Sequence, residues 1–161
     1  MTTIESTIHV VETDEGTLRI DTRYFPVLIA TWIGTISIEL VDAYFDIRNP
    51  LTHRADAIGA KVVVITDCTR MAVPAVVRTY IAKRSAATDR RYTSMLGYVV
   101  VVSNPLVRGM IIAILWVRGD LGVILEQTST LEAAYHETRR LYQEAGEPPP
   151  VLPLELRGGA S

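Results

Sequence analysis

The chain has 161 residues, 48% of them apolar and 21% charged, with a net charge of −2. That length supports one domain with a substantial core and is short for two, and the near-neutral charge gives no global reason to expect nucleic acid as a partner. The single cysteine, Cys68, excludes an intramolecular disulfide framework.

Three strand-like pieces come first. Thr7–Thr13 (TIHVVET), the turn signal Asp14-Glu15-Gly16 and Thr17–Thr22 (TLRIDT) predict a hairpin. Pro26–Gly34 (PVLIATWIG) is apolar on both faces, as a central strand is. In the stretch that follows, Ile38, Val41, Tyr44 or Phe45, Leu51, Ala55 and Ile58 recur near a 3.6 period. This predicts a helix that Pro50 kinks or divides, because proline lacks the amide hydrogen and clashes one turn back. Gly59 is its expected C-terminal cap.

From Lys61 strands and helices alternate. KVVVITD is a buried β-branched strand expected to end at Asp67, and VPAVVRTYIAKRSAATD is a helix with Pro74 in its first turn. MLGYVVVVS is a strand, NPLVRGMIIAILWV a helix opened by Asn104 and Pro105, and GVILEQT a last strand. STLEAAYHETRRLYQEAG is a helix with Ser129 and Glu132 spaced as a capping box and Gly146 as its stop. Its Leu131, Ala134, Tyr135, Thr138, Leu141 and Tyr142 share a packing face. The expected architecture is therefore a single α/β domain over residues 1–146, a mixed sheet with an N-terminal hairpin and helices packed on it. Residues 147–161, Pro-rich and then Gly-rich, are expected to form an extended or disordered tail.

The N-terminal MTTIESTIHVVETDEG has no basic segment followed by an apolar one, so a cytoplasmic location is expected. The longest uninterrupted apolar run, Met110–Val117, has eight residues between Arg108-Gly109 and Arg118; about 20 are needed to cross a bilayer. His9, His53 and His136 are far apart and none stands at ligand spacing with another His or Cys, so no metal or cofactor is expected. Cys68 follows a strand but lacks a His or Asn signature, and reads as a small buried hydrophobe rather than a nucleophile. The basic run KRSAATDRR reads as a solvated helix end.

Two places could hold a ligand. Asp67 and Arg70 fall where a strand expected to be parallel gives way to a loop, the end at which open α/β sheets bind ligands; the plainer alternative is that Asp67 accepts amide hydrogens of its own turn and pairs with Arg70. Ser103, Asn104 and Arg108 surround a helix N-terminus, whose free amides and dipole suit an anion; ordinary capping explains the same residues. The helix beyond them is apolar almost all round. Leu106, Met110, Ala113, Ile114 and Val117 are expected to pack on the sheet. Ile111, Leu115 and Trp116 are then left for a second cover, either a neighbouring helix or a second copy of the chain.

The order of elements, with VVVITDCTR, RTYIAKR, SNPLVRGMIIAILW and TLEAAYHETRRL, resembles the STAS-like (SpoIIAA-like) domains over about residues 17–146. The features that carry the resemblance are Asp67 at a strand end, Ser103 to Gly109 at a helix opening, and Trp116. The resemblance implies a SpoIIAA-like mixed sheet and a non-enzymatic regulatory module that binds another protein, with self-association as one form. The D-S-S-G-like phosphorylation motif of the anti-sigma-factor antagonists does not occur in DCTRMAVPAVVR. The rival expectation is a domain that binds a small anionic ligand or a lipid head group near Arg70 and Arg108.

Overall fold

The computed structural model describes residues 6–118 and 124–153, the side chains of 89–90 and 115–118 excepted. Strands β1 (Ile8–Glu12), β2 (Gly16–Asp21) and β3 (Val27–Thr35) form an antiparallel meander. β4 (Val62–Ala72), β5 (Met95–Val101) and β6 (Ile124–Thr128) follow in parallel, and the sheet order is simply β1-β2-β3-β4-β5-β6. The crossovers carry α1 (Ile38–Ile58), α2 (Ala75–Arg91) and α3 (Pro105–Arg118), and α4 (Leu131–Glu144) follows β6.

Successive crossovers that step the same way across a sheet, each with the favoured right hand, must put their helices on one face. The packing agrees. α1 and α2 lie over Leu28, Ala30, Trp32, Val62, Val64 and Tyr98. α3 lies over Cys68, Val100 and Val102 through Ile111. The opposite face, Val27, Ile29, Val63, Ile65, Val99 and Val101, is covered by Ala134, Leu141 and Tyr142 of α4. Because both faces of β3, β4 and β5 are buried, these strands are apolar without alternation, as expected from their β-branched runs.

The hairpin and the three expected interior strands are present, the second running on past Asp67, and the caps show why the helices end where they do. Gly59 adopts φ 70° and donates its amide to the carbonyls of Ala55 and Asp56. Gly146, at φ 69°, stops α4. The α4 cap differs from expectation: the hydroxyl of Thr130, not Ser129, accepts the amide of Ala133 at 3.1 Å. Pro74 likewise stands at the N-cap of α2, one residue outside the helix.

Larger differences concern Pro50 and the tail. α1 runs unbroken through Pro50, and its buried stripe Tyr44, Phe45, Arg48, Leu51, Thr52, Ala55 continues on both sides of it. A packed face holds a helix together across one missing hydrogen bond. The outward ends of the expected stripe, Ile38 and Ile58, are exposed. Within the segment expected to be an extended tail, Leu152 is wholly buried beside Leu141 and Tyr142, while its neighbour Val151 is exposed. Residues 154–161 lie outside the described part.

Candidate functional site

β4 does not stop at Asp67. Its pairing with β5 ends at Asp67 opposite Val101, but β4 continues along β3 to Ala72 opposite Thr35. Between Thr31 and Ile33 the partner strand advances from Asp67 to Arg70, so β4 carries an extra residue there, a bulge. The Asp67 carboxylate holds this irregularity: Oδ1 accepts the Thr69 amide at 3.0 Å and the Thr69 hydroxyl at 2.7 Å. The partner of Asp67 is thus Thr69 rather than Arg70. Arg70 is within the strand, paired in register with Ile33 and exposed, and is not in a loop before a helix.

The bulge turns Cys68 towards the helices of the three-helix face, where it is buried among Val100, Val102 and Ile111. Burial, with the Asp67 charge adding to it, pushes the thiol up to about 12. A thiol so placed carries little thiolate at neutral pH and is a poor nucleophile. The two groups at this strand that could do chemistry are therefore engaged in its structure.

Ser103 and Asn104 follow β5 at the same end of the sheet and are exposed. The Asn104 carboxamide oxygen accepts the Leu106 amide at 2.8 Å, and the Asn104 carbonyl accepts the Arg108 amide at 3.0 Å. This is helix capping, and it uses one of the amides an anion would need. The topology brings Asp67, Ser103 and Asn104 to one edge because β4 and β5 are adjacent and parallel, while Arg70 lies farther out along β4. Arg108 is exposed on the first turns of α3.

α3 is turned differently from the expectation. Ile111 is 7% exposed and faces the sheet, flanked by half-buried Val107, Met110 and Ile114. Leu106, expected inside, is 80% exposed, and Ile112 and Ala113 are also on the outside. Ile111 is therefore not an outward anchor: the β4 bulge and Val100 offer an apolar seat directly beneath it. The side chains of Leu115 and Trp116 lie outside the described residues. Among the described residues the outer stripe of α3 includes Leu106, Gly109, Ile112 and Ala113, spaced at three and four residues. Val76, in the first turn of the adjacent helix α2, is 67% exposed.

Beneath the helices is a feature that no motif announced. A cavity of about 130 Å³, open along one side to the surface, lies between the sheet and α1, α2 and α3. Trp32, Tyr44, Phe45 and Tyr98 supply aromatic walls, Val73, Val100 and Ile111 aliphatic ones, and Thr66, Cys68 and Ser85 its few polar groups. Trp32 and Tyr44 are tilted with centroids 5.4 Å apart, and Tyr44 meets Phe45 edge-on at 5.0 Å. Behind the rings the wholly buried Arg48 guanidinium lies 5.6 Å from the Phe45 centroid and 5.3 Å from that of Tyr98. The aromatic residues are scattered over three elements, which is why sequence spacing does not reveal the cavity.

No family model and no curated protein matches the chain. A search of solved structures finds the crystal structure of an anti-sigma factor antagonist from Mycobacterium paratuberculosis, with a TM-score of 0.45 and 19% sequence identity. The match covers 86% of this chain and 97% of that one. Among the described residues no helix is long and apolar enough to cross a membrane.

Proposed function

We propose that the protein is a non-enzymatic, cytoplasmic regulatory module that docks another protein on the outer stripe of α3. The observation that carries this reading is the exposed apolar line Leu106, Gly109, Ile112, Ala113 on a helix whose inner face is already used by the sheet. Scattered surface apolar residues are ordinary, but a continuous line along one helix marks an interaction surface. Gly109 leaves open space where a side chain would stand, since a Cβ there meets nothing within 4 Å. A partner can approach the backbone closely at that point. Arg108, on the same helix, provides exposed charge beside the line, where rim charges influence association rate more than affinity.

The engagement of Asp67 by Thr69 and the raised thiol of Cys68 favour a binding role over a catalytic one at this edge. The resemblance to STAS-like domains in sequence order points the same way. The test is capture of cellular partners on wild-type protein and on the double variant Leu106→Glu, Ile112→Glu, with circular dichroism showing that both are folded. The reading requires a partner retained by the wild type and lost from the variant. Equal retention by both proteins removes α3 from the account. Sedimentation of the wild type across a concentration series identifies the case in which the partner is a second copy of the chain.

A further inference from the structure

We propose that the cavity under α1, α2 and α3 is a binding site for one small, neutral, apolar ring, about the size of benzene. Protein interiors are close-packed, and voids larger than a water molecule are few. The space here is about 130 Å³. Its lining is almost wholly apolar, with Thr66, Cys68 and Ser85 as the polar exceptions. An ordered water needs two to four polar partners, which this lining scarcely offers, and apolar spaces of roughly 150 Å³ accept benzene. The occupant that fits is an apolar molecule rather than solvent.

The walls favour a ring over a chain. Trp32, Tyr44, Phe45 and Tyr98 present aromatic faces and edges, and aromatic groups prefer offset or edge-on partners at centroid separations of about 4.5–7 Å. Trp32, Phe45 and Val100 are buried, while Met71, Ile81 and Ile114 form a partly exposed wall at the side of α2 and α3. That wall is the open side of the pocket, from which a ligand can enter. The site is separate from the outer stripe of α3, so its fate is independent of the docking proposal.

Benzene and decanoate serve as probes, read by thermal melting and by amide and methyl NMR shifts of the full chain. Benzene should raise the melting temperature in a concentration-dependent way and shift signals of Cys68, Val73, Val100 and Ile111. Cys68→Leu, which places two more heavy atoms in the cavity, should weaken benzene binding by about tenfold or more. Val100→Leu is the second filling variant and should do the same if Cys68→Leu does not fold. Absence of a benzene response up to its solubility limit overturns the proposal, as do shifts confined to residues away from the cavity. Undiminished binding to a folded filled variant overturns it too. Decanoate binding more tightly than benzene at the same residues would replace the ring by an extended lipid chain.

Discussion

On one face of the sheet a single helix and the segment after it cover β-branched strands; on the other, three helices share the cover and leave a cavity among aromatic rings. The α4 face is made from Val27, Ile29, Val63, Ile65, Val99 and Val101 against Ala134, Leu141, Tyr142 and Leu152. Its closing contact is a hydrogen bond of 2.5 Å from the Tyr142 hydroxyl to the Lys61 carbonyl. Burial pushes the Tyr142 hydroxyl well above its ordinary range, so it remains a donor. The three-helix face uses polar links between its helices instead. Arg84 pairs with Asp42 at 2.8 Å and lies over the Phe45 ring, while the Tyr80 hydroxyl donates to the same Asp42 carboxylate. One helix can settle on a sheet as a single body. Three must also satisfy one another, and the compromise leaves unfilled space at their junction. The α4 face is therefore expected to be the better packed and to carry more of the stability, while the three-helix face has room for a ligand and a helix with an unused side.

This contrast can be broken or sharpened by substitution. The largest effect is expected on the tight face: Leu141→Ala should cost about 2–5 kcal/mol in denaturant unfolding, because the surroundings cannot collapse into the space left. A loss below about 1 kcal/mol would mean that the α4 face is not the better packed one. Truncation after Gly146 removes Leu152 from the same core and should cost about 1.5–3 kcal/mol. An unchanged midpoint would return residues 147–153 to the status of a tail.

Adding volume tests the two faces directly. Ile65→Phe, on the α4 side, should destabilise by about 1–3 kcal/mol through overpacking. Cys68→Leu, facing the cavity, should be neutral or stabilising. Equal penalties for the two would abolish the distinction. The smallest effect is expected at Asp21, at the end of β2. Burial acts to raise its carboxyl, but the hydrogen bonds and charge of Arg23, at 2.9 and 2.8 Å from its guanidinium nitrogens, outweigh burial and hold it below its usual range. A carboxyl lowered by folding contributes stability above its unfolded value, near pH 4, which is lost as pH falls through the lower folded value. The acid limb of the stability curve should therefore be shallower in Asp21→Asn, while a Leu141→Ala protein keeps the wild-type slope. Identical acid limbs in wild type and Asp21→Asn would show that the pair does not couple to folding.

Local patterning in the sequence determined the hairpin, the apolar strands β3, β4 and β5, the alternation from Lys61 onward and the caps at Gly59, Asn104 and Gly146, since each depends on neighbours a few residues away. The inward face of α4 was legible for the same reason: six residues at helical spacing leave one orientation. The rotation of α3 was not, because a helix apolar nearly all round has no pattern to orient it. Whether Leu106 or Ile111 turns inward depends on the seat that Cys68 and Val100 make under it. The continuation of β4 past Asp67 was hidden too, since β3 rather than β4 supplies the partner that extends the strand to Ala72. Leu152 gave no sign in a Pro-rich stretch that it would complete a core built 10 residues earlier around Tyr142 and Leu141. The cavity was least legible of all. Its walls come from four strands and three helices, and the space between them exists only after those elements have packed.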